Sequence, residues 1–161
     1  MVEHLPYSRG CFVCGVENPN GFGLRFHADQ DIVHAEFVPD PQHAGYPGVL
    51  HGGAVGAILD EAMFWAATHS AKRMHMSVDL SVRYRGKVMI GETYRVEARL
   101  VQARGSVSKT QASLLDIDGV VCASATGKFM PLPEEDVTQV LADFFPDPET
   151  VGPDRYISHA T

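Results

Sequence analysis

The chain has 161 residues, 45% of them hydrophobic and 20% charged, and a net charge of −7. That length suits one domain with a sizeable core, and the acidic balance argues against nucleic acid or an anionic membrane as a main partner. No run of about 18 apolar residues is present to span a bilayer. The first ten residues lack the basic-then-apolar order of a signal peptide, and three cysteines, an odd count, fit a reducing compartment better than a disulfide scaffold. A cytoplasmic location is the expectation.

Residues 1–22, rich in Gly, Pro and Asn, read as an irregular lead-in. Leu24–His27 and Ile32–Val38 are strand-like runs around the polar Ala28-Asp29-Gln30-Asp31, which predicts a hairpin. Pro39, Pro41, Gly45, Pro47 and Gly48 then impose a loop. From about Gly53 to Ser70 the pattern is helical, and from Gly52 to Ala67 the only charged residues are Asp60 and Glu61. A helix apolar nearly all round must be buried, and a buried carboxylate is costly without compensation. Asp60 and Glu61 are therefore candidate functional groups.

After the helix the period changes to 2. Met76, Val78, Leu80, Val82 and Tyr84 alternate with Ser77, Asp79, Ser81, Arg83 and Arg85, predicting a strand with one wet face. Further strands are expected over Thr93–Ala103, Ser106–Ile117 and Val120–Met130, with turns at Gly105 and Asp118-Gly119. One helix cannot cover both faces of a sheet. The predicted class is therefore α+β: one long central helix wrapped by a curved antiparallel sheet of about six strands, its remaining face or edge meeting a second subunit. The acidic, proline-rich remainder predicts a short helix near Glu134–Phe145 and a loose tail. The expected organisation is a lead-in over 1–22, one domain over 23–133 and a C-terminal extension over 134–161.

A helix N-terminus exposes unpaired N–H groups and a partial positive charge, and Gly52 and Gly53 let a ligand approach them unobstructed. A carbonyl oxygen that becomes an oxyanion suits that place. Asp60, seven residues past Gly53 and four past Gly56, shares their helix face, so a substrate carbonyl at Gly52 or Gly53 would have the carboxylate alongside. That is the equipment of acyl transfer or hydrolysis, with Asp60 attacking or activating water. The same spacing also suits plain tight packing around a hydrogen-bonded Asp.

Pro47-Gly48-Val49-Leu50-His51-Gly52-Gly53, with Asp60 nine residues after His51, resembles the hotdog-fold acyl-CoA thioesterases of the phenylacetate-pathway (PaaI-like) type. The strand Ser77-Val78-Asp79-Leu80-Ser81-Val82-Arg83-Tyr84 resembles the one after their helix, and Cys11-Phe12-Val13-Cys14-Gly15, followed by Asn18-Pro19 and Gly23-Leu24, resembles a subgroup. The resemblance covers about residues 11–130. It implies a hotdog fold working as a homodimer or dimer of dimers, with active sites at the subunit interface. It also implies hydrolysis of an acyl-CoA to the acid and free coenzyme A, which enters as substrate with no separate cofactor. Carried over, Gly52 supplies the N–H that polarises the thioester carbonyl, Asp60 is general base or nucleophile, and His51 orders the loop or contacts the carbonyl. Ser77 falls where some members carry a hydroxyl from the facing subunit that helps hold the water.

Gly53 and Gly56 would line the substrate, Phe64 the acyl pocket, and Arg83, Arg85 and Lys87 a basic strip for the coenzyme's phosphates. The chain departs from the family pattern at Gly45, where some members carry Asn, leaving Gln42 or His43 to position water. It departs again at Arg85-Gly86-Lys87, where a proline is common. Glu61, about 100° round the helix from Asp60, would pair with an arginine or face the other subunit.

Cys11-x-x-Cys14 lacks a second Cys pair, whereas a structural zinc site wants four ligands; it reads as a tight turn beside the pocket, and no metal is expected. His69 and His75, at the helix exit, read as solvated, and Trp65 as core. Two other functions fit the same scaffold: a hotdog hydratase or dehydratase acting on acyl-CoA or acyl-carrier protein through His51 and Asp60, and a non-catalytic acyl-CoA-binding module.

Overall fold

The structure is a computed structural model and describes residues 1–157. In chain order it comprises β1 (Glu3–His4), β2 (His27–Asp29), β3 (Ile32–Phe37), α1 (Gly52–Ala71), β4 (His75–Tyr84), β5 (Tyr94–Arg104), β6 (Val107–Asp116), β7 (Val121–Pro131) and α2 (Glu134–Ala142). The strands form one antiparallel sheet in the order β1-β2-β3-β5-β6-β7-β4. Seven strands are present where about six were expected. The added one is the two-residue β1, too short to leave a periodicity in the sequence.

The strand expected at Leu24–His27 begins instead at His27. Leu24 and Phe26 are buried, but their backbones tie the lead-in down: Leu24 N–H donates to Val13 O and Leu5 N–H to Phe26 O.

The sheet curls around α1, which packs on β3, β4, β5, β6 and β7. Enclosure on so many sides explains why the helix lacks a polar stripe: Ile58, Leu59, Ala62, Met63 and Trp65 are all 0% exposed, each large side chain contributing about 1.5–3 kcal/mol by leaving water. The helix approaches closely at Gly127 of β7, where a Cβ would stand 2.8 Å from the Phe129 ring and 3.2 Å from Met63 Cε. At its N-terminus His51 Nδ1 accepts from Gly53 N–H at 2.9 Å. At its C-terminus Lys72, in the left-handed conformation, donates its N–H to Thr68 O.

The segment after α2, expected as a loose tail, returns to the body as far as it is described. Phe145 N–H donates to Tyr7 O, Val151 N–H to His4 O, and Met74 N–H to Tyr156 O. Phe144 and Tyr156 are buried against Trp65, at ring centroid distances of 6.0 and 5.7 Å. Aromatic burial outweighs the cost of ordering this proline-rich stretch. Residues 158–161 of the expected extension lie outside the described residues.

His69 and His75 are also buried rather than solvated, at 9% and 5% exposure. His69 sits 3.1 Å from Glu3 Oε2 and 3.1 Å from the Tyr156 hydroxyl. His75 lies 2.8 Å from Arg73 O and 3.3 Å from Ser108 Oγ.

Candidate active site

Two hollows meet at Asp60 and Ser77. One, of about 330 Å³, is walled by Phe64, Trp65, Met74, Met76, Val140 and Phe144, with Cys11 and Glu61 at one side. The other runs between α1 and β4 past Gly53, Gly56 and Ala57 and the side chains of Leu80, Val82 and Tyr84. Asp60 and Ser77 line both. An apolar chamber and a groove floored by small residues thus share one carboxylate and one hydroxyl.

Ser77 reaches this junction through a β-bulge. Strict alternation would put it on the wet face with Asp79, Ser81 and Arg83. The β4–β7 register shifts between Ser77 and Asp79, however, so that Ser77 pairs with the buried Phe129 and, beyond the shift, Leu80 pairs with Gly127, Val82 with Ala125 and Tyr84 with Ala123. The extra residue, Val78, moves Ser77 onto the face of Leu80, Val82 and Tyr84. The Ser77 hydroxyl beside Asp60 is therefore supplied by the same chain.

Burial raises the Asp60 pKa, opposed by hydrogen bonding from Ser77. Its Oδ1 is buried with no hydrogen-bond partner among the described residues. Glu61 is pushed up to about 8, by burial first and then by the neighbouring Cys11, so at neutral pH it is mostly a neutral acid. Of the two expected surroundings, an arginine or a second subunit, no arginine pairs with Glu61 among the described residues. Glu61 Oε1 instead accepts from the Cys11 thiol at 3.8 Å, and Cys14 completes a cluster of three. Hydrogen bonding from the Cys14 thiol and from the backbone N–H groups of Cys14 and Val13 lowers the Cys11 pKa, while pairing with Cys11 and burial raise that of Cys14.

Of the two candidate donors at the head of α1, only one is free. Gly53 N–H is taken by His51 Nδ1, whereas Gly52 N–H has no acceptor among the described residues. The Tyr84 hydroxyl, which the sequence did not single out, donates to Gly52 O at 2.6 Å and fixes the first turn of α1 against β4. His51 is thus a helix cap. His43 is also occupied: its Nε2 lies 2.7 Å from Asn20 O, and its ring is 4.2 Å from that of Phe22. Gln42 is exposed. Arg83, Arg85 and Lys87 are exposed along the end of β4 and just after it, outside the two hollows.

One expectation fails on distance. Asp60 is eight residues beyond Gly52, and at ~1.5 Å rise per residue this separates them by roughly 12 Å. A carbonyl carbon and its oxygen are one bond apart, so a single thioester cannot rest on both groups of one helix.

The thioesterase superfamily model matches residues 47–123, from the loop before α1 to the start of β7. Among curated proteins, an uncharacterized protein of the fission yeast Schizosaccharomyces pombe is 28% identical over 99 residues, 58% of this chain and 57% of its own length. The chain thus spans little more than half of that relative. Among solved structures, a thioesterase superfamily protein aligns with a TM-score of 0.71 at 26% identity over 76% of this chain and 63% of its own.

The PaaI protein from the phenylacetic acid degradation operon of E. coli aligns at 0.64 with 14% identity, over 70% of this chain and 81% of its own. A Streptococcus mutans protein bound to acetyl CoA aligns at 0.62 with 15% identity, over 68% and 88%. At those identities the last two speak for the fold alone. A long helix inside a curled antiparallel sheet, with residues 47–123 matched by the family model, gives the chain the hotdog fold and a likeness to the thioesterase superfamily from that helix through the strands that follow it.

Proposed function

We propose that the protein hydrolyses an acyl-CoA thioester to a carboxylic acid and free coenzyme A. The observation that carries this reading is the junction itself, a desolvated carboxylate with a hydroxyl beside it between an apolar chamber and an open groove. The acyl tail enters the chamber against Phe64, Trp65 and Phe144, and the pantetheine arm lies along the groove past Gly53 and Gly56. Arg83, Arg85 and Lys87 form a cationic strip on an otherwise acidic chain for the coenzyme's phosphates. A chamber of this size and lining favours a medium aliphatic or aryl acyl group. That the S. mutans neighbour is bound to acetyl CoA supports the choice of coenzyme.

In this mechanism Asp60 acts on the thioester carbon, either directly as nucleophile or as the base that takes a proton from a water held with Ser77. The carbonyl oxygen, as it becomes an oxyanion, is stabilised by Gly52 N–H at a helix N-terminus. The carbon–sulfur bond then breaks, and the thiolate leaves to be protonated as coenzyme A. On the base route the proton is the one Asp60 took from water. On the nucleophile route it comes from solvent, and a water then cleaves the Asp60 anhydride to release the acid and restore the carboxylate. Glu61, neutral at pH 7, is the weaker candidate for base. Nothing in these steps calls for a separate cofactor.

Because Gly52 and Asp60 of one chain stand roughly 12 Å apart, the Gly52 N–H in each site comes from a second copy. The edge of the sheet offers it a seat. β4 is an outermost strand of ten residues, and it exposes Met76, Val78, Leu80 and Tyr84 at 41–54%. A long apolar edge of this kind calls for a partner. Light scattering is expected to give a homodimer, and Leu80→Lys a monomer with little turnover; a monomeric wild type at micromolar concentration would refute the shared site.

Three free cysteines suit the reducing cytoplasm, where we place the reaction; among the described residues no helix is long and apolar enough to cross a membrane. Thiol release from short, medium and long aliphatic, phenylacetyl and benzoyl CoA tests the activity, with medium and aryl substrates expected to lead. Silence across that panel, with loss of an enoyl-CoA's conjugation instead, would replace hydrolysis by hydration. Tight binding without turnover would leave a binding module.

A further inference from the structure

The cluster of Cys11, Cys14 and Glu61 has no part in the proposed hydrolysis. Its three candidate ligand atoms lie within 4.8 Å of one another, although Glu61 comes from the middle of α1 and the cysteines from the lead-in. We propose that these residues form a binding site for one zinc-type divalent cation, with its fourth coordination position open to the cavity.

Three independent features support the site. The first is distance. In a tetrahedron with Zn–S of about 2.3 Å and Zn–O of about 2.1 Å, a sulfur and an oxygen ligand stand roughly 3.6 Å apart; Cys11 Sγ and Glu61 Oε1 are separated by 3.8 Å. A cation drawn into the cluster would need little rearrangement of these two atoms.

The second feature is the loop that carries the thiols. Val13 N–H and Cys14 N–H both point at Cys11 Sγ, at 3.3 and 3.5 Å, the arrangement that satisfies a sulfur carrying negative charge. Gly15 N–H donates to Cys11 O at 2.9 Å, and a Cβ on Gly15 would collide with that same carbonyl, so the tight turn requires glycine there. The turn is braced on both sides: Val16 N–H donates to Ser8 O, Phe22 N–H to Phe12 O, and Leu24 N–H to Val13 O. The two sulfurs are therefore held in place before any ion arrives, which lowers the cost of ordering them on binding.

The third is the absence of a protein cation. Among the described residues, no lysine, arginine or histidine forms an ion pair with Glu61 or Asp60. Two thiols and the Glu61 carboxyl converge with no protein cation among the described residues to meet them, and Cys14 is only 2% exposed. Thiolates select a zinc-type ion over magnesium or calcium. Three protein ligands are one short of a closed structural site and match the count of an open one. Cys11 and Glu61 both line the chamber that Asp60 and Ser77 border, so the fourth position has access to a water or ligand there.

Cobalt(II) titration of the reduced, metal-stripped full-length chain tests the site. The expected result is one cobalt per chain, with a thiolate-to-metal charge-transfer band and the intense visible bands of four-coordination, both erased by one equivalent of zinc. Cys11→Ser and Cys14→Ser are each expected to weaken binding more than ~10-fold and to reduce the charge-transfer intensity. Glu61→Gln should weaken binding while preserving the charge-transfer band, because both thiolates remain. Asp60→Asn should bind cobalt as wild type does, which keeps this test separate from hydrolysis. A reduced wild-type chain that gives no charge-transfer band overturns the proposal, as does undiminished binding by a correctly folded Cys14→Ser.

Discussion

Asp60→Asn is expected to lower thioesterase turnover by about 10²–10⁴-fold, the usual worth of a positioned general base, while leaving thermal stability near that of wild type. The substitution preserves shape and removes a carboxylate whose Oδ1 has no hydrogen-bond partner among the described residues, so little structure depends on the charge. Gly52→Pro is the companion variant. Proline is well suited to the first helical position, which Gly52 occupies. His51 before it already has the extended conformation a following proline demands, with φ −59° and ψ 137°. The nearest atoms to a Cβ at Gly52 would be those of the Tyr84 side chain, at 3.5 Å, an ordinary contact. The change thus removes one N–H with little else disturbed, and the loss of an oxyanion donor is expected to cost about 10²–10³-fold in kcat.

Mixing the two inactive variants tests where the parts come from. If Gly52 N–H and Asp60 meet across two copies, a mixed dimer contains one site with both defects and one with neither. Subunits unfolded and refolded together in equal amounts should recover about a quarter of wild-type turnover, because half the dimers are mixed and each has one intact site. A site built within one chain has no such rescue. Recovery no greater than that of the separate variants, with mixed dimers demonstrated by mass, would exclude the shared site. Wild-type turnover by Asp60→Asn would exclude Asp60.

Much of this arrangement was legible in the sequence because it rests on local pattern. The buried helix followed from sixteen residues with charge only at Asp60 and Glu61, and the meander from the change to period 2 with turns at Gly105 and Gly119. What stayed hidden depends on register and on long-range contact. A one-residue bulge between Ser77 and Asp79 reverses which face Ser77 occupies, and alternation alone cannot reveal it. Tyr84 looked like one more apolar strand position; its hydroxyl finds Gly52 O only because β4 lies beside the head of α1.

The cysteine pair gives the same lesson in another form. Counting Cys and His ligands along the chain leaves the set incomplete, since the third candidate is a helix glutamate that approaches only in the folded molecule. The ordering of the C-terminal segment was hidden for a similar reason. Its composition reads as disordered, while two of its aromatic residues, Phe144 and Tyr156, pack on Trp65 and a third, Phe145, stacks on Tyr7.

Trp65→Ala is accordingly expected to be the most destabilising single truncation of α1. The side chain is 0% exposed and lies against Phe64, Phe144 and Tyr156 at 5.0, 6.0 and 5.7 Å between ring centroids. Its removal leaves a cavity where helix, lead-in and C-terminal segment converge. Such truncations cost about 3–5 kcal/mol, a large share of the ~5–15 kcal/mol that holds a domain folded. For a chain of this length a Tm lower by roughly 6–20 °C follows.

The indole Nε1 has no hydrogen-bond partner among the described residues, so the loss is one of packing rather than of a hydrogen bond. Trp65→Phe, which deletes that unpaired N–H while keeping most of the ring, should therefore cost well under half as much. A double-mutant cycle with Phe144→Ala is expected to show coupling of about 0.5–3 kcal/mol, because both rings wall the same chamber. The same enlargement should shift the substrate profile of the surviving Trp65→Ala protein toward longer acyl chains. Urea unfolding that places Trp65→Ala within about 1 kcal/mol of wild type would mean that the aromatic cluster does not hold the C-terminal segment to the helix.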